Sequence, residues 1–256
     1  MTGKDILTEF IGSASRADLG AIDEISKTAA SENRIPKLIH FCFVKWREIP
    51  DIFLEYISTW REAFGPDWTF VNWTPVISPF ACEFERHMYG LGEYAFYADY
   101  IRVAKVYRYG GVYLDCDVMV MKDFSPLLDF NYVFDTEYTM SRPECGVFMA
   151  KKENRYLKII KEKYESFTAA DFGARPLRFL APDVWTDALF DKGVTIGLKS
   201  FGDLDEYREA TDKYNDYEML ALDGTWLSCT DMRNPENSAI RSHSYCAHGF
   251  EHSWMR

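Results

Sequence analysis

The sequence predicts an α/β fold in one main domain, and three observations carry that prediction. An apolar strand run, an amphipathic helix and an alternating strand succeed one another between residues 38 and 73. A helical stretch, a Gly-Gly turn and a second apolar run fill Tyr97–Val120, YADYIRVAKVYRYGGVYLDCDVMV. The length, 256 residues, suits a single domain with a substantial core and a small helical appendage.

Residues 1–34 open the chain as a helical extension. Ile6, Leu7, Phe10 and Ile11 form one apolar face, Leu19, Ile22 and Ile25 another, and Gly12-Ser13-Ala14-Ser15 separates them. The polar face is acidic where a membrane-surface helix carries basic residues, so these helices read as a cap. The remaining residues, 35–256, form the main domain. Leu38–Val44 is apolar except for His40, the pattern of a buried parallel strand, with His40 as a hydrogen-bonded core histidine. Phe53, Ile57, Trp60 and Phe64 align on a helix ended by Gly65-Pro66-Asp67, and Trp68–Trp73 alternates as a strand. One or two short helices are expected within 76–96.

Tyr97, Tyr100, Ile101, Ala104, Val106 and Tyr107 mark a helix with one buried stripe. Gly110-Gly111 stops it. Val112–Leu114 and Val118–Val120 are β-prone, with Asp115 and Asp117 between them. Downstream, strands are expected at Tyr132–Asp135, Gly146–Ala150, Val194–Leu198 and Met219–Leu222, and helices at 153–167 and Pro182–Leu189.

The candidate chemistry sits on Asp115-Cys116-Asp117. Residues i and i+2 of a strand face one side, so both carboxylates are expected to enter one cleft, with Cys116 turned to the core. Two unpaired carboxylates on an apolar strand repel each other and lose hydration. A divalent cation relieves both costs, and Mg²⁺ or Mn²⁺ commonly completes its shell with substrate phosphates. A second D-x-D, Asp203-Leu204-Asp205, lacks an apolar strand and reads as a solvated turn or helix start. Two enzyme classes place D-x-D after an apolar strand: haloacid-dehalogenase-type phosphatases and metal-dependent glycosyltransferases. The phosphatase alternative requires a downstream acidic pair, for which Asp203 and Asp205 are the candidates.

Composition narrows the partners. A net charge of −11 argues against nucleic acid or an anionic membrane surface. No run of about 18 apolar residues predicts a membrane span, and MTGKDILTEF lacks the pattern of a secretory signal. A cytoplasmic protein is expected, with peripheral attachment at the inner membrane face as a further placement. The six cysteines lack C-x-x-C spacing and read as reduced thiols.

Five separated pieces carry a resemblance: IPKLIHF at 35–41, GPDWTFVNW at 65–73, AFYADYIRVAKVYRYGGVYLDCDV at 95–118, APDVWT at 181–186 and HGFEHSW at 248–254. On them the chain resembles the D-x-D sugar transferases that include yeast initiating α-mannosyltransferases and bacterial capsular-polysaccharide transferases. It is more distantly similar to the clostridial glucosylating toxins. The resemblance implies a GT-A fold, a Rossmann-like nucleotide-diphospho-sugar transferase domain with a mixed central sheet. It also implies a nucleotide-sugar donor (UDP favoured, GDP the alternative), Mn²⁺ with Mg²⁺ as a substitute, retention of configuration, and a glycan or lipid-linked acceptor. Modification of a protein, as by the toxins, is an alternative within the same chemistry, and a non-catalytic sugar-nucleotide binder is a third reading. Carried over by position, Asp115, Asp117, His248 and Ser253 serve the metal. Asp99 and Arg102 hold donor-sugar hydroxyls. Ile39, Phe41 and Phe43 line the nucleobase pocket, with Tyr113 nearby, and Ser253-Trp254 contacts metal and diphosphate. Asp183 is the candidate for a nucleophile. Phe43 stands where the family often has Trp, Lys45-Trp46 replaces a Gly-Gly, Cys145-Gly146 replaces Asn-Gly or Thr-Gly, and Ala181 replaces a Gly.

Overall fold

The structure is a computed structural model that describes residues 3–138, 142–172, 179–198, 201, 203–213, 217–229 and 240–249. Two helices come first, α1 (Gly3–Ala14) and α2 (Leu19–Ser31). Asp18 caps α2 by accepting from the Gly20 N–H. Ile11 and Ile22 are buried in the same hydrophobic core as the sheet, so the cap is packed onto the domain. Its seat is polar as well as apolar, because Asn72 donates to the Ser15 hydroxyl at 2.8 Å.

The β-α-β opening follows as β1 (Leu38–Phe41), α3 (Asp51–Ala63) and β2 (Thr69–Asn72). Then come α4 (Glu83–Leu91), α5 (Tyr94–Tyr109), β3 (Gly111–Leu114), β4 (Val118–Val120), β5 (Tyr132–Val133) and β6 (Val147–Ala150). The rest comprises α6 (Arg155–Glu165), α7 (Ala181–Phe190), β7 (Thr195–Leu198), α8 (Leu204–Asp212), β8 (Glu218–Ala221) and β9 (Cys246–His248). The central sheet runs β2-β1-β3-β6-β5. Strand β1 is parallel to β2 and β3, whereas β6 is antiparallel to β3 and β5. This is the mixed sheet that the resemblance implied. Two ribbons flank it, β4 antiparallel to β9 and β7 parallel to β8.

Two local expectations need correction. The first strand ends at Phe41, not Val44. Beyond it the Phe43 N–H is satisfied by the Asn72 side chain at 2.8 Å instead of a strand partner, so residues 42–45 form a loop. Helix α5 is buried on nearly every side, including Asp99, Arg102 and Lys105, where a single buried stripe was expected. It is enclosed by α4, α6 and the sheet, so its polar residues at three-residue spacing lie inside the protein. Lys105, at the end of that row, donates to Ser78 at 2.7 Å and lies 4.6 Å above the Trp73 ring.

His40 is the satisfied core histidine expected from its strand. The Trp73 indole donates to His40 Nδ1 at 2.9 Å, which puts the proton on Nε2, and Nε2 donates to the Gly110 carbonyl at 2.8 Å. Burial lowers its pKa to about 4, so the ring stays neutral. This clamp sets the turn into β3, where Gly110 has φ 71° and Gly111 φ 112°. A Cβ on Gly111 would approach the Leu38 carbonyl oxygen to 2.7 Å. Gly111→Ala therefore combines left-handed strain with a backbone clash at the β1–β3 pairing, and about 2–4 kcal/mol of stability should be lost. Urea unfolding followed by circular dichroism measures it; an unchanged midpoint would refute the role given to this turn.

Candidate active site

Parallel strands β1 and β3 end on the same side of the sheet, and the cleft lies beyond those ends. There a cavity of about 820 Å³ is bounded by the 42–45 loop, Phe53 of α3, the start of α5, the Asp115–Asp117 turn, the segment before β6, the start of α7 and His248. Phe43 faces Phe53 with ring centroids 5.6 Å apart, and Lys45 Nζ lies 5.5 Å above the Tyr94 ring.

Asp115 and Asp117 do converge, but by a different local geometry from the one expected. Residues 115–117 are not strand: the Val118 N–H bonds to the Asp115 carbonyl at 3.1 Å, closing a turn between β3 and β4. The Asp115 N–H bonds to the Gly146 carbonyl at 2.7 Å, so β6 holds the start of the turn. The Trp60 indole holds its end by donating to the Val118 carbonyl at 2.7 Å. Cys116 is buried but still touches the cavity wall.

The ribbon partner β9 then delivers the third donor. His248 pairs with Val118, and the Gly249 N–H bonds to the Asp117 carbonyl at 2.7 Å. His248 thus sits on a strand, and His252 lies outside the described residues. Its Nε2 is 3.3 Å from Asp117 Oδ1, and its Nδ1 is 3.1 Å from Glu144 Oε1. One ligand atom each from Asp115, Asp117 and His248 lies within 4.8 Å of the others. Two carboxylates and an imidazole suit a divalent cation, and the cavity beside them leaves room for ligands from a substrate. Burial disfavours charge on His248, but the flanking Glu144 and Asp117 outweigh it and hold the imidazole pKa well above its usual value. Burial likewise acts to raise Glu144, yet His248 and three hydrogen bonds hold it below the usual range.

Arg102 links the turn to α5. Its guanidinium reaches Asp99 at 2.8 Å, Asp115 at 3.2 Å and the Cys145 carbonyl at 2.6 Å, and stacks 4.9 Å from the Tyr113 ring. The Tyr113 hydroxyl donates to Asp115 at 2.8 Å. Burial nevertheless raises the Asp99 carboxyl to about 7 and raises Asp115 as well, because one guanidinium is divided among three acceptors. A cation at the turn would favour both ionised carboxylates.

Of the other expected site residues, Phe43, Asp99 and Arg102 line the cavity. Ile39 and Phe41 do not: both are fully buried, and Phe41 packs edge-on against Trp60. Strand β1 ends before the cleft, so the loop after it supplies the wall. Tyr113 also sits outside the lining, buried beneath Arg102 as a support for Asp115. Ser253 and Trp254 lie outside the described residues. Asp183 is half exposed on α7, 3.5 Å from Arg142, and does not line the cavity. Asp203 caps α8, accepting from the Asp205 and Glu206 N–H groups, so it serves its own helix, as a helix start does. Among the lining residues that sequence reasoning missed are Glu137, Arg142 and Glu144. Arg142 and Glu137 pair at 2.9 Å. No periodicity marks these positions; the only signal was the adjacent Cys145-Gly146.

Fold and site are similar to one class, the glycosyltransferases with a D-x-D motif. A family model described as "Glycosyltransferase sugar-binding region containing DXD motif" matches residues 50–134, which include Asp99, Arg102, Asp115 and Asp117. The chain is similar to inositol phosphoceramide mannosyltransferase 3 of Schizosaccharomyces pombe, 27% identical over 129 residues, 45% of this chain and 34% of that protein. The chain thus matches about a third of that relative's length. Among solved structures it is similar to PaToxG glycosyltransferase, with TM-score 0.50 and 17% identity over 73% of this chain and 79% of that one. A glycosyltransferase involved in glycosylation of the major capsid of PBCV-1 aligns with TM-score 0.38 and 14% identity, over 82% of this chain and 92% of that one. The family match over residues 50–134 and the capping role of Asp203 both weigh against the phosphatase alternative.

Arg102→Leu would leave Asp99 and Asp115 buried without their cation. A loss of about 3–5 kcal/mol is expected by denaturant unfolding at neutral pH. A loss below about 1 kcal/mol would mean that the ion pair does not hold the turn.

Proposed function

We propose that this chain is a retaining, Mn²⁺-dependent glycosyltransferase that moves a hexose from a nucleotide-diphosphate sugar, UDP favoured over GDP, to a glycan or lipid-linked acceptor in polysaccharide synthesis such as that of a capsule. It works in the cytoplasm, at the inner membrane face when the acceptor is lipid-linked. One observation carries the reading: Asp115, Asp117 and His248 present clustered ligand atoms to a cavity also lined by Phe43, Asp99 and Arg102. The yeast relative's name, a mannosyltransferase of inositol phosphoceramide, supports a lipid-linked acceptor. Among the described residues, no helix is long and apolar enough to cross a membrane.

In this reading Asp115, Asp117 and His248 hold the cation, with Ser253 and Trp254 completing the site. When bound, the ion supplies Lewis-acid stabilisation of the diphosphate as it leaves. It also offsets the repulsion between a diphosphate and a chain of net charge −11. Asp99 and Arg102 orient the donor sugar, and Phe43 stacks on the base. With Asp183 outside the cavity, attack from the same face as the departing diphosphate, without an enzyme nucleophile, is the retaining route this geometry favours.

The test is nucleotide release from UDP- and GDP-sugars with Mn²⁺, Mg²⁺ or EDTA. Slow Mn²⁺-dependent hydrolysis of one donor is expected, reduced by about 10²–10³-fold in Asp117→Ala. Donor binding without turnover would favour a non-catalytic binder, and metal-independent release would reject the proposed site.

A pH dependence follows from His248. Its raised pKa means that the cation-free ring is protonated at neutral pH, and a metal ligand must be unprotonated. One proton then leaves per ion bound, so Mn²⁺ affinity should rise with pH by up to about tenfold per unit. Titrations followed by paramagnetic resonance between pH 6 and 8 check it; a flat profile would contradict the ligand role of His248.

A further inference from the structure

We infer that Glu144 is a positioning residue that locks His248 with Nε2 turned to the cation site, and that this fixed imidazole makes the site prefer Mn²⁺ to Mg²⁺. The inference rests on the reading of Asp115, Asp117 and His248 as a cation site.

Glu144 is 2% exposed, and both of its carboxylate oxygens are committed. Oε1 accepts from the Gly146 N–H at 2.5 Å and faces His248 Nδ1 at 3.1 Å. Oε2 accepts from the hydroxyl of Ser228, itself fully buried. These donors come from three separate segments, which together hold the carboxylate in place. A carboxylate is an acceptor only, so Nδ1 carries the hydrogen between them. The nitrogen presented to Asp117 is therefore Nε2, at 3.3 Å. Sterics fix the ring as well. A Cβ on Gly146 would fall 2.5 Å from His248 Cε1, so the imidazole lies directly against the backbone of residue 146. The backbone of His248 is set independently by its pairing with Val118.

A buried carboxylate is costly, and the β4–β9 ribbon needs none for its hydrogen bonds. What Glu144 adds is ring orientation and a more basic Nε2, the part played by carboxylates behind metal-bound histidines. An imidazole nitrogen in an otherwise oxygen set favours a transition ion. Mg²⁺ keeps its waters and selects oxygen ligands.

The experiment measures Mn²⁺ binding by paramagnetic resonance, with Mg²⁺ as competitor, in the full chain. It compares the wild type with Glu144→Gln, His248→Ala, the double variant and Asp117→Asn. Glutamine keeps the shape and can still accept from Nδ1, so the fold is retained while the charge is lost. Glu144→Gln should weaken Mn²⁺ binding by roughly tenfold or more. The preference for Mn²⁺ over Mg²⁺ should shrink with it, and no further loss should occur once His248 is alanine. A purely structural role for Glu144 would lower the melting temperature and leave the metal preference unchanged. Wild-type affinity and preference in Glu144→Gln, or an equal loss in the His248→Ala background, would overturn the inference and leave the cation site standing. Mn²⁺ binding untouched by Asp117→Asn would bring down the cation-site reading and this inference together.

Discussion

One buried guanidinium holds the functional half of this protein together. Arg102 joins helix α5 to the Asp115–Asp117 turn and to the segment entering β6, through two carboxylates and a carbonyl. This one side chain touches all three pieces. Division of one positive charge among three acceptors leaves Asp99 and Asp115 short of compensation, which burial then exposes as raised pKa values. Stability and reactivity are here the same deficit: a fold that under-neutralises its carboxylates is one that attracts a cation.

The far side of the cation site is arranged on a different principle. There, Glu144 and Asp117 bracket His248, and the carboxylate behind the ring is anchored by a hydroxyl and a backbone N–H. Arg102 lies on one flank of the turn and the bracketed imidazole on the other. The asymmetry gives the cavity one end lined by Asp99 and Arg102 and another where Asp117 and His248 converge.

The fold was largely legible because its strands are short, apolar and punctuated. Leu38–Phe41 with His40, the Gly110-Gly111 stop and the capping Asp203 each carry a local physical signature that survives in the folded state. The two aspartates were legible as chemistry but not as geometry, because an Asp-Cys-Asp segment reads equally as strand and as turn until the partner strand is known. Burial around α5 was hidden for a related reason: Asp99, Arg102 and Lys105 look like a solvated face unless helices cover it. Ile39 and Phe41 fall outside the cavity lining; an apolar strand run does not say which residue is the last inside the sheet. Glu144 was invisible, since its meaning depends on a histidine far along the chain and a serine from a third segment.

That separation has a thermodynamic consequence. The turn carrying Asp117 and the strand carrying His248 are ~130 residues apart, a span whose closure carries a considerable entropic cost in an open chain but grows only slowly with length. An ion held by both would act as a reversible cross-link available to the native state alone. Were an ion held there, occupancy of the site and cohesion of the fold would be linked equilibria, and added ion would stabilise the fold as it fills the site.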